Sequence, residues 1–371
     1  MKIEGPKELT KWVQMTDKCC GCGACINLCP YFKQYLGNTV QVFECDLETG
    51  RCHAYCPKIE VDYAELSQKL LGKPYQGLEI GQFKAIKAAR AGGALPEQPY
   101  QGGGTVSAVM AFGLAFDYFD AAVLTDSLNG RPMPRIVTRV DEVLSCAGSK
   151  FTAAPTVSAL NQAIHEGYRK IGMVGTPCQM TAIAQMNYNQ LDIEAIKHSQ
   201  IFTVGLFCNW ALSPTRFVPF LEKKCNGKNI TGMDIPPPPA DMFVVKTPDE
   251  KIEIPLKDIR PYIDQSCFNC IDLTSEWADI SVGMFEGRPG WNTLLIRSDK
   301  GLEMVEKARE SGYLIVEDMP EDTISHLKQA ARKKKQRALR VAKKQNELNT
   351  SPDKGRSSII LPDTVIDQLM K

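Results

Sequence analysis

The segment DKCCGCGACINLCP, residues 17–30, constrains the fold more than any other. Cys19, Cys22, Cys25 and Cys29 stand at the spacing C-x2-C-x2-C-x3-C, and Pro30 follows. Thiolates this close in sequence wrap the chain around an iron–sulfur cube. In the bacterial ferredoxin run the fourth cysteine serves the other cluster of a two-cluster unit. Zinc sites prefer paired C-x2-C units well apart, so the run reads as a cluster site. Cys20 lies inside it but out of phase, and reads as a free thiol rather than a ligand.

A two-cluster unit repeats its pattern in the return half. Here that half is CDLETGRCHAYCP, with only Cys45, Cys52 and Cys56 before Pro57. Pseudo-twofold exchange assigns Cys19, Cys22, Cys25 and Cys56 to one cluster and leaves Cys29, Cys45 and Cys52 to the second. Three outcomes stand open for the second set: a [3Fe–4S] centre, a cube completed by Asp46, Glu48 or solvent, or a lobe without metal.

The chain has 371 residues and fourteen cysteines. It opens MKIEGPKELTKW, without the apolar core of a secretory signal, so ligation is a better use for the thiols than disulfides. The expected compartment is the cytoplasm, and the protein is expected to be oxygen-sensitive. A formal net charge of +1 argues against nucleic acid or an anionic membrane as partner. The longest apolar run, VSAVMAFGLAFDYFDAAVL from Val106, is broken by Asp117 and Asp120. It predicts a buried helix feeding a strand, not a membrane span.

RAGGALPEQPYQGGG marks a boundary near residues 85–100. Beyond it AAVLTD (121–126), KIGMVG (170–175) and IFTVGLF (201–207) read as buried strands. TVSAVMAFGLAF, SALNQAIHEGYR and PTRFVPFLEKK read as helices. The alternation predicts an α/β body with a largely parallel central sheet. Cys178 in MVGTPCQM and Cys208 in TVGLFCNW fall just past strand ends, where open α/β sheets bind ligands. Cys267 and Cys270 form a C-x2-C loop in SCFNC. These four could close on a [4Fe–4S] cube beside that crevice; zinc, or thiols scattered through the core, are the alternatives. QGGGTVSAV (101–109) offers backbone N–H groups to a phosphate at a helix N-terminus, or simply a tight turn entering a helix. AGSKF (147–151) adds a lysine that could meet a phosphate or a flavin edge, or lie on the surface.

QGGGTVSA, GSKF, GTPCQ, GLFC and CFNCIDLTSEWADISVG, together with the cysteine-rich lobe, resemble the beta subunits of F420-reducing hydrogenases and dehydrogenases. The resemblance covers residues 16–310 and keeps the order of the six elements. It implies bound FAD, a central [4Fe–4S] cluster and electron exchange with the deazaflavin coenzyme F420. Carried over, Cys178, Cys208, Cys267 and Cys270 match the central-cluster positions. Gly102, Gly103, Gly104, Thr105, Ser149, Lys150 and Thr176 fall on segments expected to line the FAD, with Asp279 and Gly283 in the strand and turn behind it. The lobe departs from the family in lacking one cysteine.

The expected fold is α/β, α+β overall. A two-lobed bacterial ferredoxin-like domain occupies 1–62 and a linker 63–95. An α/β FAD- and cluster-binding body with a mostly parallel sheet spans 96–315, and a basic helical arm and tail 316–371. In the arm, KQAARKKKQRALRVAKK (328–344) reads as a solvated face or a contact for an acidic partner. NELNTSPDKGRSS reads as a flexible linker, IILPDTVIDQLMK as a segment docking on a neighbour, and the prolines at 236–239 as a rigid loop by the crevice. The expected function is an iron–sulfur flavoprotein subunit that exchanges hydride at FAD with F420 or a substitute carrier. Two or three clusters would pass single electrons to or from a catalytic subunit of hydrogenase, formate dehydrogenase or F420H2 dehydrogenase type. The alternatives are a relay without hydride chemistry and a stand-alone flavin-dependent reductase.

Overall fold

Apolar strands alternating with helical patterns build an eight-stranded central sheet. The computed structural model describes residues 2–96, 100–189, 191, 197–237 and 239–371. In chain order the sheet contains β1 (Ala85–Ala91), β2 (Ala121–Leu128), β3 (Arg131–Val137), β4 (Lys170–Gly175), β5 (Gln200–Leu206), β6 (Ile280–Met284), β7 (Asn292–Ile296) and β8 (Leu314–Asp318). They lie side by side as β8-β1-β7-β6-β5-β4-β2-β3. The centre, β6-β5-β4-β2, is parallel, while β3, β7, β1 and β8 pair antiparallel. One antiparallel edge follows from a short connection. β2 returns as β3 through Asn129 and Gly130, both at positive φ, and so tight a turn joins only antiparallel neighbours.

The major helices are α1 (Thr105–Ala115), α2 (Val140–Ser145), α3 (Thr156–His165), α4 (Pro177–Asn189), α5 (Pro214–Lys224), α6 (Asp299–Glu310), α7 (Glu321–Lys344) and α8 (Asp363–Met370). α1 and α6 cover one sheet face, where Ala108, Phe112, Met304 and Ala308 pack with Val174, Val204 and Val282. α3 and α4 cover the other, with Leu160, Met180 and Ile183 against Val123, Ile171 and Met173. Burial on both faces is why the central strands read as continuous apolar runs.

The cysteine loop of residues 19–29 docks on the N-terminal end of α3. Val157 N–H donates to Cys22 O at 3.0 Å, and Asn161 Nδ2 donates to Ile26 O at 2.7 Å. The segment expected as a linker, 63–95, carries the helix Tyr63–Leu71 and contributes β1 to the central sheet.

The C-terminal expectations are corrected. α7 is solvated and basic on one side only, where Lys333, Arg337, Arg340, Lys343 and Lys344 are exposed; on the other, Lys334 and Lys335 are 3% and 0% exposed, and Ala331, Ala338, Leu339 and Ala342 are buried with them. Small and apolar residues at helical spacing make that stripe a packing face. The supposed flexible linker contributes the strand Leu348–Asn349, parallel to Ile359–Ile360. Ile359–Ile360 in turn pairs in parallel with Val61–Asp62 beside the N-terminal lobe. The terminal segment docks on its own chain, with Val365 and Leu369 packed among Val61, Tyr63, Leu66 and Tyr75. Of the prolines at 236–239, Pro238 lies outside the described residues. Among those residues no helix is long and apolar enough to cross a membrane.

Candidate functional site

The carboxyl edge of the parallel strands carries the central cysteines. β4 and β5 are parallel neighbours, and the residues after them bear Cys178 and Cys208. Pro177 opens α4, where its missing N–H costs no helical bond. Thr176 Oγ1 lies 3.2 Å from Cys178 Sγ. Cys208 N–H donates to Leu273 O at 2.8 Å, tying the exit of β5 to the chain beyond the C-x2-C loop. Cys267 closes a 3-10 turn, Gln265–Cys267, capped by Asp264, and Ala211 N–H points at its sulfur from 3.3 Å.

Burial pushes the Cys208 thiol up and Cys267 up to about 11. Cys178 is raised well above the usual thiol range by its hydrogen bond with Cys20 and then by burial. Cys270 goes the other way. Burial would raise it, but Lys334 and Lys58 together outweigh that and lower it.

The N-terminal thiols gather in the same manner. One cavity is lined by Cys19, Cys20, Cys22, Cys25, Cys52 and Cys56. Burial lifts Cys56 to about 12 and Cys25 well above its ordinary value, and neighbouring thiols add to both. Cys52 rises to about 11 through burial, with Cys29 and Cys45 among the groups acting on it. Cys20 lies at the junction, where it interacts with both Cys178 and Cys22. Burial holds His53 neutral, its pKa lowered to about 4. Cys146 and Cys225 are buried in separate cores, as small apolar residues often are. Among the described residues no group of three or more His, Cys, Asp or Glu closes on one point as a single metal ion would need.

The glycine turn joins β1 to α1. Gly104 adopts φ 74° at the N-cap of α1. A Cβ on Gly103 would lie 2.7 Å from Asn292 Oδ1 and 2.9 Å from Ala89 O, so the glycine lets the turn approach β7 and β1 closely. Asn292 Oδ1 accepts from Thr105 N–H at 3.2 Å, and its Nδ2 donates to Gly283 O at 3.2 Å. The Thr105 hydroxyl is buried with no hydrogen-bond partner among the described residues. Gln101 ties this turn to the next: its Oε1 accepts from Ser149 N–H, and its Nε2 donates to Asp234 Oδ1 at 2.6 Å. Ser149 is thus brought beside the glycine turn. Lys150 Nζ instead donates to Gly148 O at 2.9 Å and to Cys146 O, at the end of α2, and burial lowers its pKa. Thr176 stands with Cys178. Asp279 has a bracing role, accepting from Thr203 N–H at 2.9 Å and from Ser298 Oγ at 2.6 Å.

Sequence reasoning missed Asn292 and two lysines. Lys58 Nζ donates to Ser266 O at 2.6 Å and Asn269 Oδ1 at 3.0 Å. Lys334 Nζ donates to Cys208 O and Asp272 O, both at 2.6 Å. The stripe Ala331, Ala338 and Ala342 was the only signal that this part of α7 is buried. Nothing in the sequence marks Lys58 or Asn292.

The residues present fit iron–sulfur ligation: the thiols are grouped and buried or half-buried, and metal binding displaces the proton of each thiol that ligates. The unpartnered Thr105 hydroxyl in a close-packed glycine turn fits a polar group of a bound nucleotide. Fold and site together define an α/β redox protein with a thiol-rich N-terminal lobe. The chain belongs to the family of coenzyme F420 hydrogenase/dehydrogenase beta subunits, which are oxidoreductases. The N-terminal part of the family pattern matches residues 88–161 and the C-terminal part residues 168–322. The chain is 31% identical over 245 residues to the coenzyme F420 hydrogenase subunit beta of Methanococcus voltae, covering 64% of this chain and 85% of that one. It is 26% identical to a subunit of the F420H2 dehydrogenase of Methanosarcina mazei, covering 85% of this chain and 89% of that one. Its fold is similar to a chain in the F420-reducing [NiFe] hydrogenase complex of Methanosarcina barkeri, with TM-score 0.66 and 24% identity over 72% of this chain and 93% of that one.

Proposed function

We propose that the chain is the electron-exchanging subunit of an F420-linked redox complex, with FAD at the glycine turn and iron–sulfur clusters on its thiol sets. The observation that most supports this is the file of grouped thiols, buried or half-buried. It runs from Cys29, Cys45 and Cys52, through Cys19, Cys22, Cys25 and Cys56, to Cys178, Cys208, Cys267 and Cys270, with Cys20 between the last two sets. A flavin exchanges hydride with a carrier and single electrons with clusters, and so joins two-electron to one-electron chemistry.

The protein's part is to bind and orient. Gly102, Gly103, Gly104 and Thr105 present the N-terminal end of α1, which favours an anionic phosphate. Ser149, Lys150 and Thr176 are proposed to line the remainder of that site. The thiols would hold iron where the packed core keeps water away. F420 is the proposed hydride carrier, since the relatives are named for it, and a catalytic subunit is the proposed partner.

The test is anaerobic purification with counts of iron, sulfide and released flavin. Wild type should release FAD, and Cys208→Ala and Cys270→Ala should each lose the central iron while keeping the N-terminal iron. A protein that takes up neither iron nor FAD on reconstitution overturns the reading. Iron without flavin would instead favour a relay lacking hydride chemistry.

A further inference from the structure

Two buried lysines, distant in sequence, meet at the central thiols. Lys58 and Lys334 are 6% and 3% exposed. Burying an ammonium group is costly unless it is paired. The hydrogen bonds these lysines make go to neutral oxygens: Ser266 O and Asn269 Oδ1 for Lys58, Cys208 O and Asp272 O for Lys334. Lys58 lines the cavity that bears Cys178 and Cys270, and Lys334 holds the main-chain carbonyl of Cys208 itself.

We propose that Lys58 and Lys334 are the counter-charges of the central centre and set how readily it accepts an electron. The inference rests on the iron–sulfur reading above. Two ferric and two ferrous ions, four sulfides and four thiolates sum to 2−, and one added electron makes 3−. A fixed positive charge nearby favours the reduced form. The two lysines differ in reach. Among the described residues, the hydrogen bonds of Lys334 go to Cys208 O and to Asp272 O, just past the C-x2-C loop. Lys58 lines the N-terminal thiol cavity and also the cavity bearing Cys178 and Cys270, so it acts on both centres. Neither lysine lies within the residues matched by the family pattern, so the device is supplied by this chain's lobe and arm.

The test is an EPR-monitored redox titration of the anaerobic holoprotein. Lys334→Gln keeps an N–H donor for Cys208 O and removes the charge. The central midpoint should fall by about tenfold in the reduction equilibrium, ~59 mV for one electron, with the N-terminal centre unmoved. Lys58→Gln should lower both. If Lys334→Gln fails to retain iron, Asp272→Asn removes a neighbouring negative charge and should raise the central midpoint. Iron retained with an unmoved midpoint in Lys334→Gln overturns the inference alone. So does an unraised midpoint in Asp272→Asn where Lys334→Gln is iron-free. Wild type without central iron overturns the iron–sulfur reading and this inference with it.

Discussion

Lys335, adjacent in sequence to Lys334, has a different and purely structural task. It is fully buried against Glu276, and Tyr75 closes the group by donating to Glu276 Oε2 at 3.1 Å. Breaking one side of a buried pair leaves a charge unpaired, so Lys335→Met should cost about 3–5 kcal/mol. Denaturant unfolding of the apoprotein measures this, and Lys335→Met with Glu276→Leu should recover much of it. A loss below ~1 kcal/mol would mean that water reaches the carboxylate. At the same scale, Gly103→Ala should destabilise by about 1–3 kcal/mol, because its Cβ meets backbone at Ala89 that cannot move aside. It should also lower the FAD retained through gel filtration; unchanged retention would remove the turn from the flavin site. The thiols were legible as a group because their close, regular spacing stands out in the sequence. The lysines were not, because a charged residue reads as solvated until its segment is known to be covered.

At the scale of elements, β4 at residues 170–175 and α5 at 214–224 stand where the apolar pattern placed them. Those patterns record burial directly. The failures lie in the tail, where NELNTSPDKGRSS has the composition of a linker but is held by contacts from elsewhere. Glu347 pairs with Lys18 and accepts from Ser358 N–H at 2.9 Å. Such long-range pairing leaves no local trace. α8 supplies the test: Leu369→Ala removes a buried side chain from the cluster around Val61 and Tyr63 and should cost about 2–5 kcal/mol. Deleting residues 345–371 should do more, freeing the edge at Val61–Asp62 and speeding proteolysis within residues 2–62. Cleavage at the wild-type rate would show that the lobe needs no strap.

For the whole molecule, the set Cys29, Cys45 and Cys52 has three thiols where a cube takes four. Glu48 is exposed and lies three residues after Cys45, the spacing of the first lobe. If that set holds a centre with an open corner, Glu48→Cys should alter its EPR signal and slow its bleaching in air, since a fourth thiolate excludes solvent. An unchanged spectrum and iron content would mark the set as metal-free or otherwise closed. The parallel pairing of Val61 with Ile359 also carries a consequence in time. The cysteine lobe leaves the ribosome nearly three hundred residues before the strand that clamps it. At ~5–20 residues per second that gap is roughly 15–60 s. For that interval the nascent lobe has no strap, and its edge at Val61–Asp62 stays unpaired on that side until the tail arrives and shuts the door.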